Sequence, residues 1–211
     1  MSDEKILKEY EHNYYNYEML DEFLENNRDF RVPCYYDTCF KKLFSYKEFI
    51  GTFLSHFIPL DKDEIKRQLE YHSVENERIN NRHKGSITDI KVWLDDYVVI
   101  FECNKECRKA IIEKNFHTFR GTCYKSVSKG NGRNKGDYKH CILISLDNYD
   151  YYKQDKIESK GKYLDIESKI ELIENETIYF INLEKVRKEL YNINNLAKLN
   201  AFEKLLMFIV S

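Results

Sequence analysis

Long apolar runs are missing from this chain of 211 residues, and no stretch approaches the length that a membrane span needs. Charge of one sign is missing too. Lys and Arg number 34 against 36 Asp and Glu, so the net charge of −2 excludes a global basic footprint. A nucleic-acid partner would have to be met by a local patch or through a bound metal. The six cysteines are Cys34, Cys39, Cys103, Cys107, Cys123 and Cys141; they form no CxxC pair and have no matching histidine set. A structural zinc is therefore not expected, and the cysteines read as reduced thiols. The six histidines lie singly, with no HExxH and no Ser or Cys in a nucleophile context. The stretch "GNGRNKG" lacks the Gly-Lys-Ser/Thr ending of a Walker loop, which argues against nucleotide binding. The opening "MSDEKILKEYEHN" is polar and acidic, unlike a secretory signal, so the expectation is a cytoplasmic protein with no membrane partner.

What is present suffices for a globular core. Hydrophobic content of 42% and aromatic content of 15% allow one domain of this length. Residues 3–29 carry Ile6, Leu7, Tyr10, Tyr14, Tyr17, Leu20, Phe23 and Leu24 at helical spacing, which suggests a helical extension over residues 1–32. Pro33 interrupts that pattern, and the main domain is expected over 33–211. A helix follows from about Thr38, and an apolar stretch from Phe49 to Ile58 stops at Pro59. Residues 61–85 read as a polar connector with a short strand near Leu69 to Val74. A hairpin comes next, then helical spacing from Lys105 to Lys129 through Ile111, Ile112, Phe116, Phe119, Cys123 and Val127. "CILISL" and "TIYFINL" read as strands, residues 147–176 as polar surface structure, and Leu183 to Val210 as one or two helices. Strands alternating with helices predict an α/β domain.

The hairpin "SITDIKVWLDDYVVIFECNKE" carries an acid in each strand. A two-residue turn at Asp95-Asp96 sets Lys91 opposite Ile100 and Asp89 opposite Glu102. Directly opposed like charges, with Cβ atoms about 5 Å apart, destabilise a ladder. A hard divalent ion such as Mg²⁺ or Mn²⁺ would compensate them, because it takes oxygen ligands and keeps several waters. The period of two adds Asn104 and Lys91 to the same face. Two acids with polar and cationic neighbours suit a metal-dependent hydrolase. The plainer reading stays open: the acids lie on a solvated face, Lys91 neutralises both, and its long side chain reaches outward.

With those residues in view, the sequence resembles the PD-(D/E)xK nucleases, and within them the recombination-promoting nuclease and transposase family. "YYDTCFKKLF" resembles the family's entry motif. "ITDIKVWLDDYVVIFECN" resembles its Asp…Glu-x-Gln/Lys core, and "FRGTCYKS" the helix that follows. "KGDYKHCILISL", "TIYFINLEK" and "NAFEKLLMFI" resemble later segments in the family's order. The likeness spans about residues 35–210.

It implies a restriction-endonuclease-like core with a mixed central sheet flanked by helices. It also implies Mg²⁺-dependent cleavage of DNA, in recombination or mobile elements. Carried over by position, Asp89 and Glu102 would bind the metal, and Asp37 would assist from the first helix. Asn104 would stand where the family has Lys or Gln. Lys91 would supply the charge Asn104 lacks. Arg120 and Tyr124 would flank the site, with Lys41, Lys129, Arg133 and Lys135 as further candidates for contact with DNA. Lys125 and Lys139 belong to the same basic cluster around the glycine-rich loop. The resemblance also leaves room for a homodimer. Asn104 is the departure, since Asn carries no charge but still donates a hydrogen bond. The alternative is a weakened or inactive nuclease scaffold that binds DNA or protein.

Overall fold

The computed structural model describes residues 34, 36–76, 86–126, 138–150, 153, 155–190 and 196–210. The expected N-terminal helical extension and Lys129, Arg133 and Lys135 of the glycine-rich loop lie outside the described residues. In chain order the elements are α1 (Asp37–Leu43), α2 (Lys47–Leu54), α3 (Lys62–Gln68), β1 (Glu70–Tyr71), β2 (Glu75–Asn76), β3 (Ser86–Ile87), β4 (Ile90–Trp93) and β5 (Tyr97–Asn104). They continue with α4 (Lys109–Lys125), β6 (His140–Asp147), β7 (Glu158–Gly161), β8 (Glu176–Asn182), α5 (Leu183–Leu190), a 3₁₀ turn (Leu196–Lys198) and α6 (Ala201–Val210).

Six strands form one mixed sheet in the order β1-β4-β5-β6-β8-β7, so the chain is α/β with helices on both faces of the sheet, as expected. The hairpin has the predicted register. Ile90 pairs with Phe101, Lys91 with Ile100 and Trp93 with Val98, while Leu94 N–H donates to the Tyr97 carbonyl at 2.8 Å. β5 and β6 run parallel, as do β6 and β8, and α4 is the crossover between β5 and β6. Strands buried on both faces read as nearly continuous apolar runs, which is why "YVVIF" and "CILISL" stand out in the sequence.

The pleat divides those runs between two cores. Phe101, Ile144 and Ile181 point to one face, against Phe40 of α1 and Phe44 at its C-cap, Phe53 of α2, Ile65 of α3, Val186 of α5 and Leu206 of α6. Val98, Ile100, Leu143 and Ile178 point to the other, against Phe119 and Cys123 of α4. Phe44 is central to the aromatic cluster, its ring 4.9 Å from Phe101 and 5.2 Å from Phe53.

Two segments depart from the sequence reading. Residues 62–68, expected in a connector, form α3, started by Asp61, whose Oδ1 accepts from the N–H groups of Asp63 and Glu64 at 2.9 Å each. Its single buried residue, Ile65, gives no periodic signal, so the N-cap rather than an apolar stripe marks the helix. Asp61→Ala is expected to lower stability by about 1 kcal/mol, read as a reduced midpoint in urea at unchanged slope. Within residues 147–176, expected to be surface structure, β7 forms an edge strand against β8. Its sequence, Glu-Ser-Lys-Gly, has the polar character of strands that must avoid further pairing.

The face of α4 also differs. The buried positions are Asn115, Thr118, Phe119, Thr122 and Cys123, whereas Ile111, Ile112 and Phe116 are half-buried. Three of the five residues turned to the sheet are polar. An apolar-periodicity argument therefore sets the helix slightly off its true rotation.

Candidate functional site

Asp89 lies immediately before β4, and its Oδ2 accepts the Cys103 N–H at 2.7 Å. Glu102 stands near the end of β5, only 1% exposed, and lines an open cleft of about 350 Å³ together with Asp89, Asn104, Lys105, Arg108 and Lys114. The two acids predicted to face each other do share this cleft. Burial, and next the charge of Asp89, push the Glu102 carboxyl up to about 8 against an ordinary 4.5. Asp89 is also raised, first by burial, while the Cys103 N–H opposes the shift and Asp37 adds to it. Asp37, at the start of α1, is thus near enough to act on Asp89. Lys41 Nζ lies 2.9 Å from Asp37 Oδ2, and its charge reaches both Asp89 and Glu102.

The cation nearest Glu102 is one that sequence reasoning missed. Lys114 on α4 places Nζ 3.5 Å from Glu102 Oε2. Lys91, expected in this role, is instead buried beneath α4, 9% exposed. Its pKa is lowered by burial and then by Lys125, and it is not among the charges acting on either acid. The reason is the crossover: the first half of α4 passes over the ends of β5 and β6, while the charge that acts on Lys91 from this helix is Lys125, at its last residue. A basic residue about one turn into a helix that follows an acid-bearing strand was the available signal.

Asn104 is buried and committed inward. Its Nδ2 donates to Asp147 Oδ1 at 2.8 Å and to Ser145 Oγ at 3.0 Å. The parallel register explains this, since Glu102 aligns with Ser145 and Asn104 with Asp147 at the carboxyl ends of the two strands. The expectation that Asn104 orients water or phosphate is therefore not supported, because its N–H groups already have acceptors. Arg120 and Tyr124 lie farther along α4. Arg120 approaches the Tyr163 ring at 5.9 Å and acts on Glu176, and Tyr124 is 82% exposed. Neither joins the acids. Lys105 lies over the Tyr36 ring at 3.7 Å, which ties the rim of the cleft to the start of α1.

Among the described residues, no three His, Cys, Asp or Glu side chains converge as a metal cage. Mg²⁺ does not require one, because it binds through one or two carboxylates and keeps waters or substrate oxygens for its other positions. The donor set fits that mode. Glu102 Oε1 is buried with no hydrogen-bond partner, on a carboxyl facing a second acid. A buried acceptor left in that state costs about 1–3 kcal/mol unless something binds it. No helix among the described residues is long and apolar enough to cross a membrane. No protein-family model and no curated protein matches this chain.

Proposed function

We propose that this protein is a metal-dependent nuclease that hydrolyses phosphodiester bonds of DNA, as the motif series in its sequence suggests. The observation that carries the reading is a pair of acids, buried Glu102 and half-buried Asp89, sharing one cleft with an unsatisfied carboxyl oxygen on Glu102. These two residues would hold Mg²⁺ or Mn²⁺. Such an ion, when bound, polarises a phosphoryl oxygen and lowers the pKa of an attacking water. Asp37 would hold a water beside the acids. Lys114 would face the phosphate with the positive charge that Asn104 does not provide, and Lys41, Lys105 and Arg108 would draw the anionic backbone towards the cleft.

The test is nicking of supercoiled plasmid with Mg²⁺ or Mn²⁺, beside the double variant Asp89→Ala/Glu102→Ala. Cleavage by the natural protein that disappears in the double variant is the expected result. A folded natural protein that never nicks would overturn the enzymatic reading. It would favour a binding module on a nuclease scaffold, for which the inward commitment of Asn104 is the supporting observation.

A further inference from the structure

Beneath α4 a chain of buried amides joins the cleft to the end of β6. Asn115 is 4% exposed and sits between Glu102 and Asn104. Its amide has two orientations. In one, the nitrogen lies 3.2 Å from Asn104 Oδ1 and the oxygen faces only acceptors. In the other, the nitrogen donates to Glu102 Oε2 at 3.2 Å and to the Ile111 carbonyl at 3.1 Å, while the oxygen lies between Asn104 Nδ2 at 3.1 Å, from which it accepts, and Asn104 Oδ1 at 3.2 Å. The second gives the nitrogen two acceptors where the first gives it one, and turns a donor rather than an oxygen toward Glu102.

We propose that Asn115 is a positioning residue for Glu102, anchored through Asn104 to Asp147. The proposal rests on the reading of Glu102 as a metal ligand and extends it. Asn115 occupies Oε2, which limits rotation of the carboxyl and leaves Oε1 as the unpartnered oxygen. At the far end of the chain Asp147 Oδ1 accepts from Asn104 Nδ2 at 2.8 Å and from Ser145 Oγ at 2.9 Å. A cavity of about 10 Å³, lined by Asn115, Ser145, Asp147 and Tyr149, closes that end with room for one water. Every member of the chain lies on β5, β6 or α4, rigid elements rather than loops. Outer groups that orient a ligating carboxylate change metal affinity by about 10–100-fold when removed. The role also explains why α4 turns a polar residue to the sheet where an apolar one would pack.

The experiment has two independent readouts on the full chain. In metal-free protein, the Asn115 side-chain amide protons are followed by NMR. They are expected to resist exchange with solvent and to shift in Glu102→Ala. Amide protons that exchange freely, or that ignore the loss of Glu102, would overturn the contact without any metal being involved. In parallel, Mn²⁺ binding is measured by calorimetry for the natural protein, Asn115→Leu and Asn115→Asp. A loss of about 10–100-fold in Asn115→Leu, and a larger one in Asn115→Asp, which sets an acceptor against Glu102, is expected. Equal Mn²⁺ binding by natural and variant proteins would overturn the positioning role alone. No Mn²⁺ binding by the natural protein would overturn the metal reading and the role with it. Should Asn115→Leu fail to fold, the NMR readout on the unaltered residue still decides the contact.

Discussion

Glu102→Gln is expected to abolish metal-dependent cleavage and, with no metal present, to make the protein more stable above neutral pH. Both effects have one origin. The carboxyl is held near 8 by burial and by Asp89, whereas in the unfolded chain it titrates near the ordinary 4.5. Between those values the native state keeps a proton that the unfolded state has released, so stability falls as pH rises. The contribution is fully present below about 4.5 and is gone above about 8. Gln is neutral throughout and removes that slope. At pH 8.5 the gain is about 3–5 kcal/mol, from the free energy of a pKa displacement of this size. Urea unfolding of natural and variant proteins at pH 5 and 8.5, with chelator present, measures it. Parallel pH dependences in the two proteins would show that Glu102 is not the group responsible.

The same linkage predicts how metal acts. Mg²⁺ must displace the Glu102 proton, so its affinity should rise with pH up to about 8. Saturating Mg²⁺ should then restore stability most where the metal-free protein is weakest. Destabilising acids kept together in a cleft are the usual sign of function opposed to stability.

Lys114→Met should reduce cleavage by about 10²-fold, the usual effect of removing one fixed electrostatic group from a reacting centre. Its long side chain is half exposed and packs no core, so the thermal midpoint should hardly move. Lys91→Met makes the informative comparison. Lys91 lies under α4 with burial opposing its charge, so removing that charge should leave cleavage at the natural rate and stability unchanged or raised. Plasmid nicking rates for the two variants, measured together, decide which lysine serves the cleft. Loss of activity in Lys91→Met with none in Lys114→Met would reverse the assignment.

The sequence was sufficient for the hairpin and for the pair of acids it brings together. A two-residue turn leaves one register, and a period of two then decides which side chains share a face. The α/β class and the central strands were also legible, because doubly buried strands are written as unbroken apolar runs. What only the tertiary structure decided lies across the parallel crossover. The rotation of α4 about its axis brings Lys114 and Asn115 to Glu102 and carries Arg120 away, and the register of β5 against β6 sets Asp147 beside Asn104. Local spacing contains neither quantity. A hairpin's partners are joined by two residues, whereas Glu102 and Ser145 are brought together only when a whole helix packs over the sheet. Polar side chains buried in that interface leave no apolar pattern to reveal it.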